Sequence, residues 1–276
     1  MAAVPAPVSS FGARVSSRVD AAVLFDVALT ASGSRLRTLT ERGGFRARVT
    51  RRDDTCEVYL VNPSGGLAGG DRLELSARAA AGARLTVSTA SAERVYRSCG
   101  PDTRVECRLM AGPGARLEWL PQQTILYEAS RYRRNIAIDA DPSARVTVLE
   151  ALTLGRIARG ERLEDVVIRD DWRVRRAGRL VFAEALRVVG PASRLFERAA
   201  IGAGTLAAAT LVHVSPDAGS ELERIRACLG DSVPCGASAL DGLIVARWLA
   251  PEPMMLLAAL QSFLEQFRGH PAPRGW

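Results

Sequence analysis

The chain has 276 residues, 47% of them hydrophobic, and a formal net charge of +7. This length and apolar share provide for a sizeable core in one large domain or two small ones, and no run reaches the ~18 uninterrupted apolar residues that a membrane span needs. All 37 basic residues are arginine, scattered singly apart from the doublets Arg51-Arg52, Arg133-Arg134 and Arg175-Arg176, with few aromatics between them, which points to acidic protein surfaces rather than nucleic acid.

Met1 to Ser17 is rich in Ala, Pro, Ser and Val. It lacks a charged start followed by a long apolar core, so it is expected to be a flexible tail rather than a signal peptide, with residues 1–22 outside a single domain over 23–276. The apolar run Val58-Tyr59-Leu60-Val61 then enters Asn62-Pro63-Ser64-Gly65-Gly66-Leu67-Ala68-Gly69-Gly70-Asp71. Four glycines in ten residues suit a tight turn or a close backbone approach. A phosphate loop needs a Lys, and the chain has none; a dinucleotide fingerprint needs a helix next, and Arg72-Leu73-Glu74-Leu75 alternates like a strand. Two readings remain: a structural double turn, or a turn that sets Asp71 at a functional surface.

From residue 72 to about 190 the sequence repeats. Arg84, Arg116, Arg145 and Arg179 each open a strand-like segment after a turn. Arg72-Leu73-Glu74-Leu75, Arg104-Val105-Glu106-Cys107, Asn135-Ile136-Ala137-Ile138 and Val166-Val167-Ile168-Arg169 precede those turns as equivalent strands. A period near 30 residues with two strands per unit predicts stacked β coils. One step after each Arg come Leu85, Leu117, Val146 and Leu180, and three steps after come Val87, Trp119, Val148 and Phe182. Side chains alternate along a strand, so these residues mark the inward face. Five steps after, on the same face, come Thr89, Pro121, Glu150 and Glu184. Inward carboxylates are costly unless paired or wet. They imply buried Arg–Glu pairs, a water-filled channel, or a bulge that turns them to solvent.

Residues 191–276 read as mixed β and α. Gly219–Leu229 has helical spacing, Leu240–Leu249 reads as a strand, and Pro253–Phe267 reads as a helix that Gly269 ends. The apolar stripe of that last helix, which includes Leu256, Leu260, Phe263 and Phe267, is expected to be core, with docking onto a helical partner as the minor reading. Catalytic sets are thin. The chain has only two histidines, His213 and His270, and no Gly-x-Ser-x-Gly elbow or Cys-x-x-Cys pair. Its five cysteines follow no disulfide spacing, which points to a reducing cytoplasm. No stable metal site is expected. The fold class read here is mainly β, a stacked β-coil of two layered sheets with a few helices near the C-terminus.

The chain resembles the UreD family of urease accessory proteins, also called UreH. The resemblance rests on Gly44-Phe45-Arg46-Ala47-Arg48, the segment 62–71, Glu93-Arg94-Val95-Tyr96-Arg97-Ser98, Trp119-Leu120-Pro121-Gln122, Gly155-Arg156-Ile157-Ala158-Arg159-Gly160-Glu161 and Pro273-Arg274-Gly275-Trp276. It implies a non-catalytic scaffold in a hetero-oligomer with apo-urease, an F-type accessory protein and, through it, a G-type GTPase. It implies no tightly bound cofactor, with Ni2+ only in transit during GTP-dependent insertion, and no nucleic acid or membrane partner. Its motif residues here are Asn62, Pro63, Gly65, Gly66, Gly69, Gly70, Tyr96, Arg97, Gln122, Gly155, Arg156 and Glu161. Candidates for a nickel path or partner surface are Asp71, Ser88, Thr89, Glu93, Glu150 and Glu184. The competing expectations are a β-solenoid hydrolase that uses Asp71, Glu150 and Glu184 as acid/base groups, and a purely structural interaction module.

Overall fold

The computed structural model describes residues 18–276. The expected tail falls outside the described residues up to residue 17; beyond it, Asp20 to Ala22 already belong to the first strand. The strands of the first half are β1 (Asp20–Thr30), β2 (Gly33–Arg42), β3 (Arg46–Arg52), β4 (Thr55–Val61), β5 (Arg72–Ala79), β6 (Arg84–Thr89), β7 (Glu93–Val95), β8 (Thr103–Ala111) and β9 (Arg116–Trp119). The second half adds β10 (Thr124–Leu126), β11 (Arg131–Ala140), β12 (Arg145–Leu154), β13 (Val166–Arg176), β14 (Arg179–Gly190), α1 (Ala192–Glu197) and β15 (Ala207–Val214). The chain closes with α2 (Ala218–Cys228), β16 (Cys235–Leu240), β17 (Leu243–Ala250) and α3 (Pro253–Arg268).

Two sheets face each other. The first has the order β14-β13-β11-β8-β5-β1-β2, and the second runs β16-β17-β15-β12-β9-β6-β4-β3, with β10 and β7 branching from β12. The centre of each is parallel: β1, β5, β8, β11 and β13 in the first, β4, β6, β9 and β12 in the second. Each coil gives one strand to each sheet, which is the stacked β-coil that the repeat predicted. Leu85, Leu117, Val146, Val87, Trp119 and Val148 all lie in the core between the sheets.

The fourth unit breaks the pattern. Its second strand, β14, folds back antiparallel on β13 in the first sheet and does not cross to the second. Arg179 therefore pairs with Arg176 across a hairpin, and Leu180 is 48% exposed rather than inward. The tight Ala177-Gly178 turn, both at positive φ, lets the chain reverse where the other units cross over. The pre-turn strands also stack in another register: Arg133 and Arg169, not Asn135 and Val166, align with Arg104.

The C-terminal part covers the outer face of the second sheet. Leu256, Leu260, Phe263, Leu264 and Phe267 of α3 pack with Trp248 and Ile225 in a second core, so the stripe is internal. Proline in the first turn and Gly269 in the left-handed cap bound α3 as expected. Arg268 fixes its end through a forked hydrogen bond to Glu118 of β9, at 2.8 to 3.1 Å. The short α1 and the β16 hairpin strand were not anticipated. No helix among the described residues is long and apolar enough to cross a membrane.

Candidate functional site

Every second residue of β11 points between the sheets. Tyr132, Ile136 and Ile138 are buried there, and so is Arg134, at 4% exposure. On the adjacent strand Asp170 lies directly opposite Arg134 in register. The guanidinium forks onto it, Nε to Oδ1 at 2.9 Å and Nη2 to Oδ2 at 2.6 Å. Its remaining Nη1 donates across the sandwich to Oε2 of Glu150 on β12. The Trp119 indole N–H donates to the other Glu150 oxygen at 2.8 Å. Burial pushes the Glu150 carboxyl above its ordinary range, against the pull of Arg134. For Arg134, burial opposes the charge, but Asp170 and Glu150 outweigh it and hold the guanidinium protonated.

Arg134 and Glu150 line two cavities and stand between them, and Asp170 lines the second. The first, of about 70 Å³, is walled by Asn62, Thr89, Glu93, Gln122 and Tyr132, among others. The second, of about 190 Å³, is walled by Asp170, Glu184, Thr210 and Arg247 within a mostly apolar surround. In the first, burial pushes the Glu93 carboxyl up to about 7, and the Asn62 amide, which donates to both its oxygens at 2.9 and 3.1 Å, limits the rise. In the second, Glu184 receives Arg247, and both stay partly exposed.

Of the candidate path residues, Thr89, Glu93, Glu150 and Glu184 thus meet at the two cavities. Asp71 and Ser88 line neither. Asp71 is buried and works as a clasp: Oδ1 accepts from the Val19 amide at 2.8 Å and Oδ2 from the Ala68 amide at 2.7 Å. It closes the glycine turn and fixes the entry to β1. Ser88 is buried with no hydrogen-bond partner for its hydroxyl. The acid/base trio Asp71, Glu150 and Glu184 is not assembled in one cleft. Arg134 and Asp170 escaped the sequence reading. The available signal was an arginine at a core-facing position of an alternating strand, Tyr132-x-Arg134-x-Ile136.

The family-motif residues form a wall at one end of the coil. The Gly65 carbonyl accepts from the Tyr96 hydroxyl at 3.0 Å, and Tyr96 meets Tyr127 edge to face at 5.2 Å. Arg156 stacks over Tyr127 at 4.5 Å and forks onto Glu161 at 2.9 and 2.6 Å. The Arg156–Glu161 hydrogen bonds hold the Arg156 pKa up and the Glu161 pKa down. Gly66 fits because a Cβ there would stand 2.4 Å from the Tyr96 ring, and Gly69 because one would stand 2.1 Å from the Ser98 hydroxyl. Gly155, at φ +82°, approaches the Glu161 carbonyl. Pro63 lies in the same turn, Gly70 takes φ +93°, and Arg97 bridges to Ser130. The Gln122 amide donates to the Gly275 carbonyl and ties the C-terminus to this end.

Comparison with known proteins matches residues 20–276 to the family described as UreD urease accessory protein. The chain belongs to the UreD family. Among curated relatives it is 44% identical over 267 residues to the urease accessory protein UreD of Methylobacterium sp. (strain 4-46), covering 94% of this chain and 95% of that one. It is 46% identical over 256 residues to the UreD of Xanthobacter autotrophicus, covering 91% and 88%, and 41% identical over 267 residues to that of Azorhizobium caulinodans, covering 96% and 98%. The wall from Gly65 to Glu161 and the paired cavities are therefore features of a UreD chain.

Proposed function

We propose that this UreD chain is a non-catalytic, cytoplasmic scaffold for urease maturation. It binds apo-urease and an F-type accessory protein that recruits the G-type GTPase, and it passes Ni2+ between its sheets toward urease during GTP-dependent insertion. The observation that supports the passage is the Arg134–Glu150–Asp170 cluster at the neck between two cavities. Glu93 and Thr89 lie on one side of that neck and Glu184 on the other. Among the described residues no three His, Cys, Asp or Glu side chains gather in a metal-sized group. Carboxylates, hydroxyls and water suit brief hand-over of a borderline cation rather than storage. Arg134 closes the neck, so transfer exchanges one cation for another on the same two carboxylates.

Urease activation in a reconstituted mixture of this chain, its F- and G-type partners, apo-urease, GTP and Ni2+ tests this reading. Glu150→Ala with Glu184→Ala is expected to lower activation at least tenfold while the complex still assembles. Wild-type activation with normal assembly removes the passage and leaves the scaffold. A second reading, a structural pin, is favoured by the saturation of both Glu150 oxygens. It requires full activation from the apolar replacement Arg134→Met, Glu150→Leu, Asp170→Leu.

A further inference from the structure

The outward face of the first sheet carries its charge in rows. Arg72, Arg104, Arg133, Arg169 and Arg187 stand side by side on β5, β8, β11, β13 and β14, each in register with the next. Two residues further along the strands stands a second row, Glu74, Glu106, Asn135 and Asp171. All of these side chains are exposed or half-buried.

A sheet arranged for its own stability would alternate charge across neighbouring strands, because like charges directly opposite destabilise it. Here four consecutive strand pairs set arginine beside arginine. In the acidic row Glu74 holds Arg108 at 2.6 Å and Asp171 holds Arg187 at 2.5 Å, while Glu106 accepts from the neutral Asn135 amide at 2.7 Å and keeps its charge. Arg133 is paired with Asp102 and Arg187 with Asp171, whereas among the described residues Arg72, Arg104 and Arg169 have no carboxylate within 4.0 Å and are the free charges of the row.

We propose that this face docks a protein partner through an acidic helix laid across the strands. Strands lie about 4.8 Å apart, so five arginines span roughly 19 Å. A helix presents one residue per turn every ~5.4 Å, or about 22 Å over the same five positions, a mismatch that arginine side chains absorb. An extended segment presents alternate residues every ~6.7 Å and runs out of step by about 8 Å. Nucleic acid is the poorer match, because the carboxylate row runs beside the arginines and repels a phosphate backbone. The same row selects a helix whose glutamate ridge is flanked by a basic ridge, which fixes orientation as well as attraction.

The full-length chain is titrated, by fluorescence anisotropy, into a labelled 22-residue helical peptide with a glutamate ridge beside a lysine ridge. A scrambled peptide of the same composition, an extended alternating-glutamate peptide and a short DNA duplex are compared. The ridge peptide is expected to bind at least tenfold tighter than all three, with affinity falling as salt rises. Arg72→Gln, Arg104→Gln and Arg169→Gln together are expected to cost at least tenfold in affinity with a Tm no lower than that of the wild type, since the like-charge neighbours are relieved. Equal binding of the scrambled peptide, tighter binding of DNA, or no loss in the triple variant overturns the proposal. So does a wild-type homodimer, seen by sedimentation, that the triple variant dissolves.

Discussion

Replacing Arg134 by Met removes the cation and keeps most of the side chain's volume. Glu150 and Asp170, at 6% and 5% exposure, then share a buried site without a counter-charge. Breaking a buried pair from one side costs about 3–5 kcal/mol, because the remaining charge is stranded. Here two carboxylates are stranded, so the upper end of that range is expected. Trp119 still donates to Glu150, which keeps the cost finite. The apolar triple replacement named above strands no charge and leaves only the buried Trp119 indole N–H without its acceptor, a cost of about 1–3 kcal/mol; that offsets the up to about 1–4 kcal/mol such replacements can add, so it is expected to come out near neutral. Urea unfolding of the wild type, Arg134→Met and the triple variant measures both. The penalty of Arg134→Met must also depend on pH. With Arg134 gone, burial raises the Glu150 carboxyl with less to oppose it, so its folded-state pKa stands above its unfolded one. Its protonated form carries the stability, so the variant is least impaired at low pH and loses stability as pH rises through the raised value. A loss below about 1 kcal/mol, or one that does not change with pH, refutes the reading of a buried, mutually dependent cluster.

Glu93, whose pKa burial raises to about 7, makes the wild type lose stability as pH rises from its unfolded value near 4.5 through 7. Glu93→Gln is expected to flatten that slope, by up to about 3 kcal/mol in urea titrations on either side of pH 7. Gly66→Ala drives a Cβ to 2.8 Å from the fixed Arg94 carbonyl and is expected to cost more than about 2 kcal/mol, whereas Gly65→Ala meets open space and pays only the roughly 1–2 kcal/mol of a left-handed backbone. The two Tm values should separate accordingly. Arg268→Met strands Glu118 beneath α3 and is expected to lower stability by about 1–3 kcal/mol, with hydrogen exchange rising first at the C-terminal end of that helix.

The sequence by itself determined the coil. Period-two burial and a turn every thirty or so residues leave few other ways to cover Leu85, Leu117 and Val146, and the in-register ladder of Arg84, Arg116 and Arg145 follows from them. It also determined the last helix and its core face, because a 3.6-residue stripe bounded by proline and glycine is a local signal. The glycine segment was recognised as special, but not why: Gly66 and Gly69 are set by Tyr96 and Ser98, some thirty residues away. Glu150 was placed inward by alternation alone. Its partners were not legible, since Arg134 reaches it from the opposite sheet and Asp170 reaches Arg134 from the next coil. The row of arginines on the outer face is likewise a product of register, mostly between strands about thirty residues apart, whereas the reversal of β14 turns on a local hairpin at Ala177-Gly178. Pairing between distant strands is settled by the packing of the whole sheet, and a one-step slip moves every side chain to the other face. Only the tertiary structure therefore decided which charges meet inside the sandwich and which line up outside it.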